Sequence, residues 1–180
     1  MVTLQFLHSL PLLVLLLIAA GIDARDRRIP NWLTVLLILS GLVQSFFPNH
    51  VTGPVGAVAG LFAGGLIPFV MFAIGALGAG DVKLMAGVGA WLGPLPALAV
   101  FTGAAVIGML IVLAQAAVQG RLRVLTQNSL NIGLSLIHIR QLGAGHAART
   151  GHCSRSVDRP LPYAVPVLAG VLMVLLARWR

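Results

Sequence analysis

The sequence predicts an all-α, polytopic membrane protein of about six transmembrane helices, the fourth of them short. Three observations carry that prediction. Of 180 residues, 58% are apolar and only 9% are charged, where a soluble domain carries roughly a quarter charged residues. The mean hydropathy is +0.98, far above what a disordered chain shows. The bases flank apolar runs instead of forming a stripe with interleaved aromatics. That is how topology signals are placed, and it argues against nucleic acid as a partner despite a net charge of +8.

A membrane helix needs about 20 mostly apolar residues to cross roughly 30 Å of hydrocarbon. Residues 4–22 qualify, and with no basic stretch ahead of them they read as a retained span, not a cleaved signal. Residues 32–47 are a second, shorter span. Pro30 ends the loop before it, and Asn31 is placed to cap it. A turn at 48–53 leads to a third span at 54–77, where Gly56, Gly60 and Gly64 recur every four residues. That spacing lets another helix approach closely, within the chain or across a homodimer. Residues 82–92 are apolar but extend only about 16 Å as a helix. A break at 93–96 precedes the span 95–119, and residues 161–177 form the last. A single membrane-embedded domain, 1–180, is therefore expected. Its one large polar loop is at about 120–160, in which 128–139 can lie along the membrane surface.

The charges sort by loop. Arg25, Arg27 and Arg28 lie in the first, Lys83 in the third, and Arg121, Arg123, Arg140, Arg149, Arg155 and Arg159 in the fifth, while the second and fourth hold no base. The positive-inside rule then makes the odd loops cytoplasmic and the N-terminus external. Arg178 and Arg180 fall outside against the rule, two charges set against ten.

Composition also limits the chemistry. There is no glutamate, which removes the HExxH metalloprotease helix. The single cysteine, Cys153, forms neither an internal disulfide nor a multi-cysteine zinc site. His146, His152 and Cys153 lack a fourth ligand, so no metal site is predicted.

Ionisable groups beside a membrane are costly and are functional candidates by default. Two places stand out: residues 23–31, holding Asp23, Asp26, Ile29, Pro30 and Asn31, and the run Gly78-Ala79-Gly80-Asp81-Val82-Lys83. The charge-derived topology puts both on one membrane face, so carboxyls from separate helices can converge. Such a pair shares one proton, because two like charges in contact cannot both ionise. The ionised member takes a proton from water while the protonated member polarises a carbonyl, which hydrolyses an amide with no metal, cofactor or covalent intermediate. The glycines before Asp81 allow close approach of an extended peptide. Asp23 and Asp26 are three residues apart on one helix, and spacing alone does not choose between them. Lys83 reads either as an interfacial anchor or as a group acting on the carboxyl pair. The three arginines of the first loop are topology signals that also suit a substrate leader or lipid phosphates.

The pattern Asp-x5-Ile-Pro-Asn followed by Gly-x-Gly-Asp-x-Lys resembles the type IV prepilin leader peptidases, polytopic aspartic proteases. Pro162-Tyr163 near the C-terminus is similar to the short branch serving tight-adherence (Flp) pili. The resemblance implies an endopeptidase of the bacterial inner membrane that removes the leader of a prepilin or pseudopilin precursor at the cytoplasmic face. It implies Asp23 and Asp81 as the catalytic pair, with Asp23 standing six residues before Ile29. It also implies Gly78, Gly80, Lys83, Pro30 and Asn31 as substrate-binding or supporting residues, and no cofactor. The segment with paired CxxC motifs that accompanies N-methylation in full-length relatives is absent here, so methyl transfer is not expected. Ala164, Val165 and Pro166 stand where the short branch usually has glycine next, which bears on substrate fit. The presenilin-type proteases share the GxGD motif, but no tyrosine precedes an aspartate here, and Pro96-Ala97-Leu98 follows Asp81 too closely. The alternative from another class is a transporter or pilus-assembly subunit using the two aspartates as a proton relay.

Overall fold

A computed structural model of the chain describes residues 2–47, 52–118 and 162–178. The polar loop at 120–160, with the surface segment, the histidines and the cysteine discussed above, lies outside the described residues. Six helices are seen in the order α1 (Val2–Asp26), α2 (Asn31–Gln44), α3 (Gly53–Ala73), α4 (Ala79–Leu92), α5 (Pro94–Val118) and α6 (Ala164–Arg178). No strand occurs among the described residues. Two helices, Gly53–Ala73 and Pro94–Gln115, are long and apolar enough to cross a bilayer by length and composition.

The short fourth helix is the centre of the bundle. From Leu84 to Leu92 all of its residues except Ala86 are buried, and α2, α3 and α5 pack around it. A helix buried on every side needs no polar face, which is why its sequence reads as one continuous apolar run. Small residues let it sink in. A side chain at Gly60 of α3 would run into the backbone of Gly89 and Gly93, and one at Gly89 into Gly60. Gly60 and Gly64 thus serve contact within the chain, whereas Gly56 meets only Thr52. On the α2 side, Trp91 lies 2.7 Å from where a Cβ would stand on Gly41. Its indole donates to the Leu37 carbonyl at 3.0 Å and the Ser40 hydroxyl at 3.3 Å. Leu12 and Leu16 of α1, Leu33 and Leu37 of α2, and Val167 and Val171 of α6 complete the core.

The outside of the bundle is apolar as well. Leu17, Phe62, Leu110 and Met173 are each 60% exposed or more, far more apolar surface than a monomer in water presents.

Two starts differ from the sequence expectation. α4 begins at Ala79, not Val82, because the carboxylate of Asp81 accepts the Gly78 N–H at 3.2 Å and closes the first turn. Asn31 does not cap α2. The cap position is Pro30, held extended, with no side-chain hydrogen bond to the helix, since the Asn31 amide oxygen accepts from Lys83.

Candidate active site

Four helix ends meet at one end of the bundle, and the chain makes each by a local device. α1 stops because Arg27 turns left-handed (φ 52°) and its N–H returns to the Asp23 carbonyl at 2.9 Å, a one-bond C-terminal cap. Pro30 sets the extended entry to α2. Gly78 is the extended residue before α4 (φ −83°, ψ 150°). Pro162 and Tyr163 form the turn into α6.

These ends are tied together in pairs. The Asp23 carboxylate accepts the Ala164 N–H at 3.0 Å, joining α1 to α6. The Lys83 ammonium donates to Asn31 Oδ1 at 2.9 Å, joining α4 to α2. Gly80 rests on Ile29, with 3.3 Å between the Ile29 Cβ and the place a Cβ would take on Gly80. Gly80 is thus a contact residue in the first helical turn, and Gly78 alone of the two is extended.

The structure separates the two acids of the first loop. Asp23 is buried, at 6% exposure, and faces α6, whereas Asp26 is exposed. They stand on one helix three residues apart, yet only the inward one meets another element.

The electrostatics follow from this placement. Both carboxyls lie just outside the apolar runs, Asp23 after residue 22 and Asp81 before Val82. Burial raises Asp23 above its ordinary value, opposed by the hydrogen bond from Ala164. Asp81 is pushed up to about 6, first by burial and then by the negative charge of Asp23, against the pull of the Gly78 N–H. The two aspartates therefore sense each other across the helix ends. Asp23 also sits on the N-terminus of α6, where free N–H groups favour an anion. Both carboxyls are thus held above the ordinary carboxylate range, each tempered by one backbone N–H. No cluster of three or more histidine, cysteine or acidic side chains occurs among the described residues to hold a metal.

Tyr163 is the residue whose place the sequence reading did not interpret. Half-buried, its ring packs against the core, one residue before the Ala164 N–H that Asp23 accepts. The signals in the sequence were its position, directly after Pro162 at a helix start, and its being the sole tyrosine.

Comparison with known proteins gives a family. The sequence profile described as the type IV leader peptidase family matches residues 10–113, more than half of the chain, a stretch that includes Asp23 and Asp81. A protein of Klebsiella pneumoniae named prepilin leader peptidase/N-methyltransferase is 41% identical over 93 residues, 48% of this chain and 41% of that protein. One of the same name from Dickeya chrysanthemi is 40% identical over 80 residues, 41% of this chain and 28% of that protein. The matches thus span less than half the length of either relative. No solved structure is a significant match.

Proposed function

The chain belongs to the type IV leader peptidase family, and from that premise we propose that it is a multi-pass aspartic endopeptidase of the bacterial inner membrane. It removes the leader peptide from a prepilin or pseudopilin precursor at the cytoplasmic face, with its own N-terminus outside. The observation that carries this reading is that Asp23, bonded to the start of α6, and Asp81, in the first turn of α4 whose Gly80 rests on Ile29 just after α1, stand at the same end of the bundle.

The mechanism follows from their different surroundings. The precursor's apolar helix lies beside the exposed apolar faces and presents its cleavage site, extended, at the helix ends that carry Asp23 and Asp81. Ionised Asp23 takes a proton from water as the water oxygen bonds to the scissile carbonyl carbon. Protonated Asp81 donates to the carbonyl oxygen. The carbon–nitrogen bond then breaks as the leaving amine takes the proton from Asp23 and a hydroxyl of the tetrahedral gem-diol returns its proton to Asp81, so that a free carboxyl and amine result and both aspartates are restored. Gly78, extended and open, lines the approach. Gly80, Pro30, Asn31 and Lys83 support the site by holding the ends of α2 and α4 together. With one cysteine in the sequence and no paired CxxC motif, cleavage without N-methylation is the proposed activity, although the relatives' names include both. A proton relay in a transporter would place its acids near the bilayer midplane on broken helices, and these two stand at helix ends, Asp23 followed by Arg25, Arg27 and Arg28 and Asp81 by Lys83.

The test is co-expression with the host's Flp-type prepilin, following leader loss by gel shift and the mature N-terminus by mass. Asp23→Asn and Asp81→Asn abolish cleavage, and Asp26→Asn still cuts. The asparagine oxygen can still accept the bonds from Ala164 and Gly78, so these variants remove charge and leave the caps in place. A dead Asp26→Asn would overturn the assignment, and a wild type that cuts no pilin would overturn the function.

A further inference from the structure

Asp23 and Asp81 sit on helices whose main contacts are with other elements: α1 packs on α6 and α2, and α4 on α3, α2 and α5. Their relative position therefore depends on links through a third element. One such link can be traced bond by bond. Asp81 and Lys83 stand two residues apart near the start of α4. The Lys83 ammonium donates to Asn31 Oδ1 at 2.9 Å, across 52 residues of sequence. Asn31, the first residue of α2, lies four residues after Arg27, whose N–H returns to the Asp23 carbonyl at 2.9 Å. Within that short turn Ile29 rests on Gly80, so the end of α1 meets the start of α4 at a second point. Two details define what Lys83 contributes. Residues two apart on a helix do not face each other, so the ammonium leads away from the Asp81 carboxylate and toward α2. Its partner is a neutral amide, which is given to this bond and not to the end of its own helix.

We propose that Asn31 and Lys83 are a pair of positioning residues for the reaction. Their hydrogen bond fixes the start of α2 to the start of α4 and so sets the register of Asp23 against Asp81, with the lysine acting as a donor and not as a charge on the carboxyls. This rests on the peptidase reading above and deepens it. Fold stability alone is a poor account of the bond. Both side chains are exposed, and a hydrogen bond that replaces bonds to water adds little to a fold whose core lies elsewhere. Geometry is the more sensitive quantity, since a misplacement of about 1 Å costs on the order of 100-fold in rate. Neither residue touches the reacting atoms. Each acts through the helix end that it holds.

The experiment uses the full-length enzyme in detergent or liposomes and a purified prepilin. Asn31→Leu and Lys83→Met each remove one side of the bond with little change in size. Each is expected to lower kcat about 10- to 100-fold with KM within about twofold, while melting curves move little. The double variant falls no further than the lower single, because the second change has nothing left to break. Exchanging the two residues, Asn31→Lys with Lys83→Asn, rebuilds the bond in the opposite sense at the same net charge and recovers most of kcat. A lysine acting through its charge gives another pattern: Asn31→Leu stays active, Lys83→Met alone is impaired with its pH limbs displaced, and the exchange rescues nothing. A lysine that only anchors the helix at the interface leaves Lys83→Met with wild-type kcat. Either pattern overturns the proposal, and so does a double variant whose loss is the product of the two single losses. If the exchanged variant folds poorly, the two singles and the double still decide. The controls keep the two readings apart. If the wild type cuts and Asp23→Asn does not, a fully active Asn31→Leu sinks only the positioning pair. If the wild type does not cut, the peptidase reading falls and takes the pair with it.

Discussion

Asp23 is held at two points: its carbonyl accepts the Arg27 N–H and its carboxylate the Ala164 N–H. Asp81 is held by its own helix start through Gly78. Different surroundings set different proton affinities, and the rate profile inherits them. With Asp81 raised to about 6, kcat/KM falls as pH rises through about 6, because the acid loses its proton. On the acid side it falls when Asp23, itself raised, becomes protonated. These limbs belong to the pair. Burial is the larger cause of the rise at Asp81 and the Asp23 charge the smaller, so replacing Asp23 with Asn lowers the Asp81 titration only in part, as carboxyl infrared difference spectra would show. The same shift acts on stability. The folded state binds the Asp81 proton more tightly than the unfolded chain does, so its stabilising share is complete below about pH 4 and is lost as pH rises through about 6. Asp81→Asn is therefore expected to stabilise the enzyme at pH 7.5 by the order of 1 kcal/mol and to change little at pH 4. An equal melting shift at both would contradict this.

At the scale of elements, the helices were legible in the sequence and their ends were less so. Apolar run length marks all six. The start of α4 was missed because Gly78, Ala79 and Gly80 look like a loop until Asp81 is seen to reach back to Gly78. Asn31 looks like a cap, but a lysine 52 residues later claims its side chain. The role of the turn before α6 was also illegible, since only tertiary contact brings Ala164 to Asp23. Asp23, Asp26 and Asp81 stood out as candidates because charge beside apolar runs is costly wherever it occurs, but that Asp23 is buried and Asp26 exposed was not legible from spacing. Two tests belong here. Gly60→Ala pushes α3 off the α4 backbone and is expected to cost about 1–3 kcal/mol and most of the cleavage rate. Gly21→Ala, with nothing within 4 Å, is expected to gain about 0.5–1 kcal/mol, both read from melting curves. At the end of α1, Arg27→Gly is tolerated at φ 52°, whereas Arg27→Val is expected to cost about 1–2 kcal/mol, loosening the turn that holds Asp23 and slowing cleavage.

For the whole molecule, the buried α4 and the apolar exterior describe a bundle turned outward toward lipid, with its polar chemistry gathered at one end where four helix ends meet. The topology proposed above has that end, and Cys153, facing the cytoplasm. A membrane-impermeant maleimide is therefore expected to label Cys153 in inverted vesicles and not in spheroplasts, and the opposite result would reverse the topology. The central claim is that Asp23 and Asp81 act as one unit although they come from different helices. The most direct measurement is the cleavage rate of Asp23→Asn, Asp81→Asn and the double variant on one purified prepilin. If the aspartates are one unit, each single variant falls to the same floor as the double, since half a dyad has no function. Single variants that retain partial rates, with a double reduced by the product of their separate losses, would contradict it.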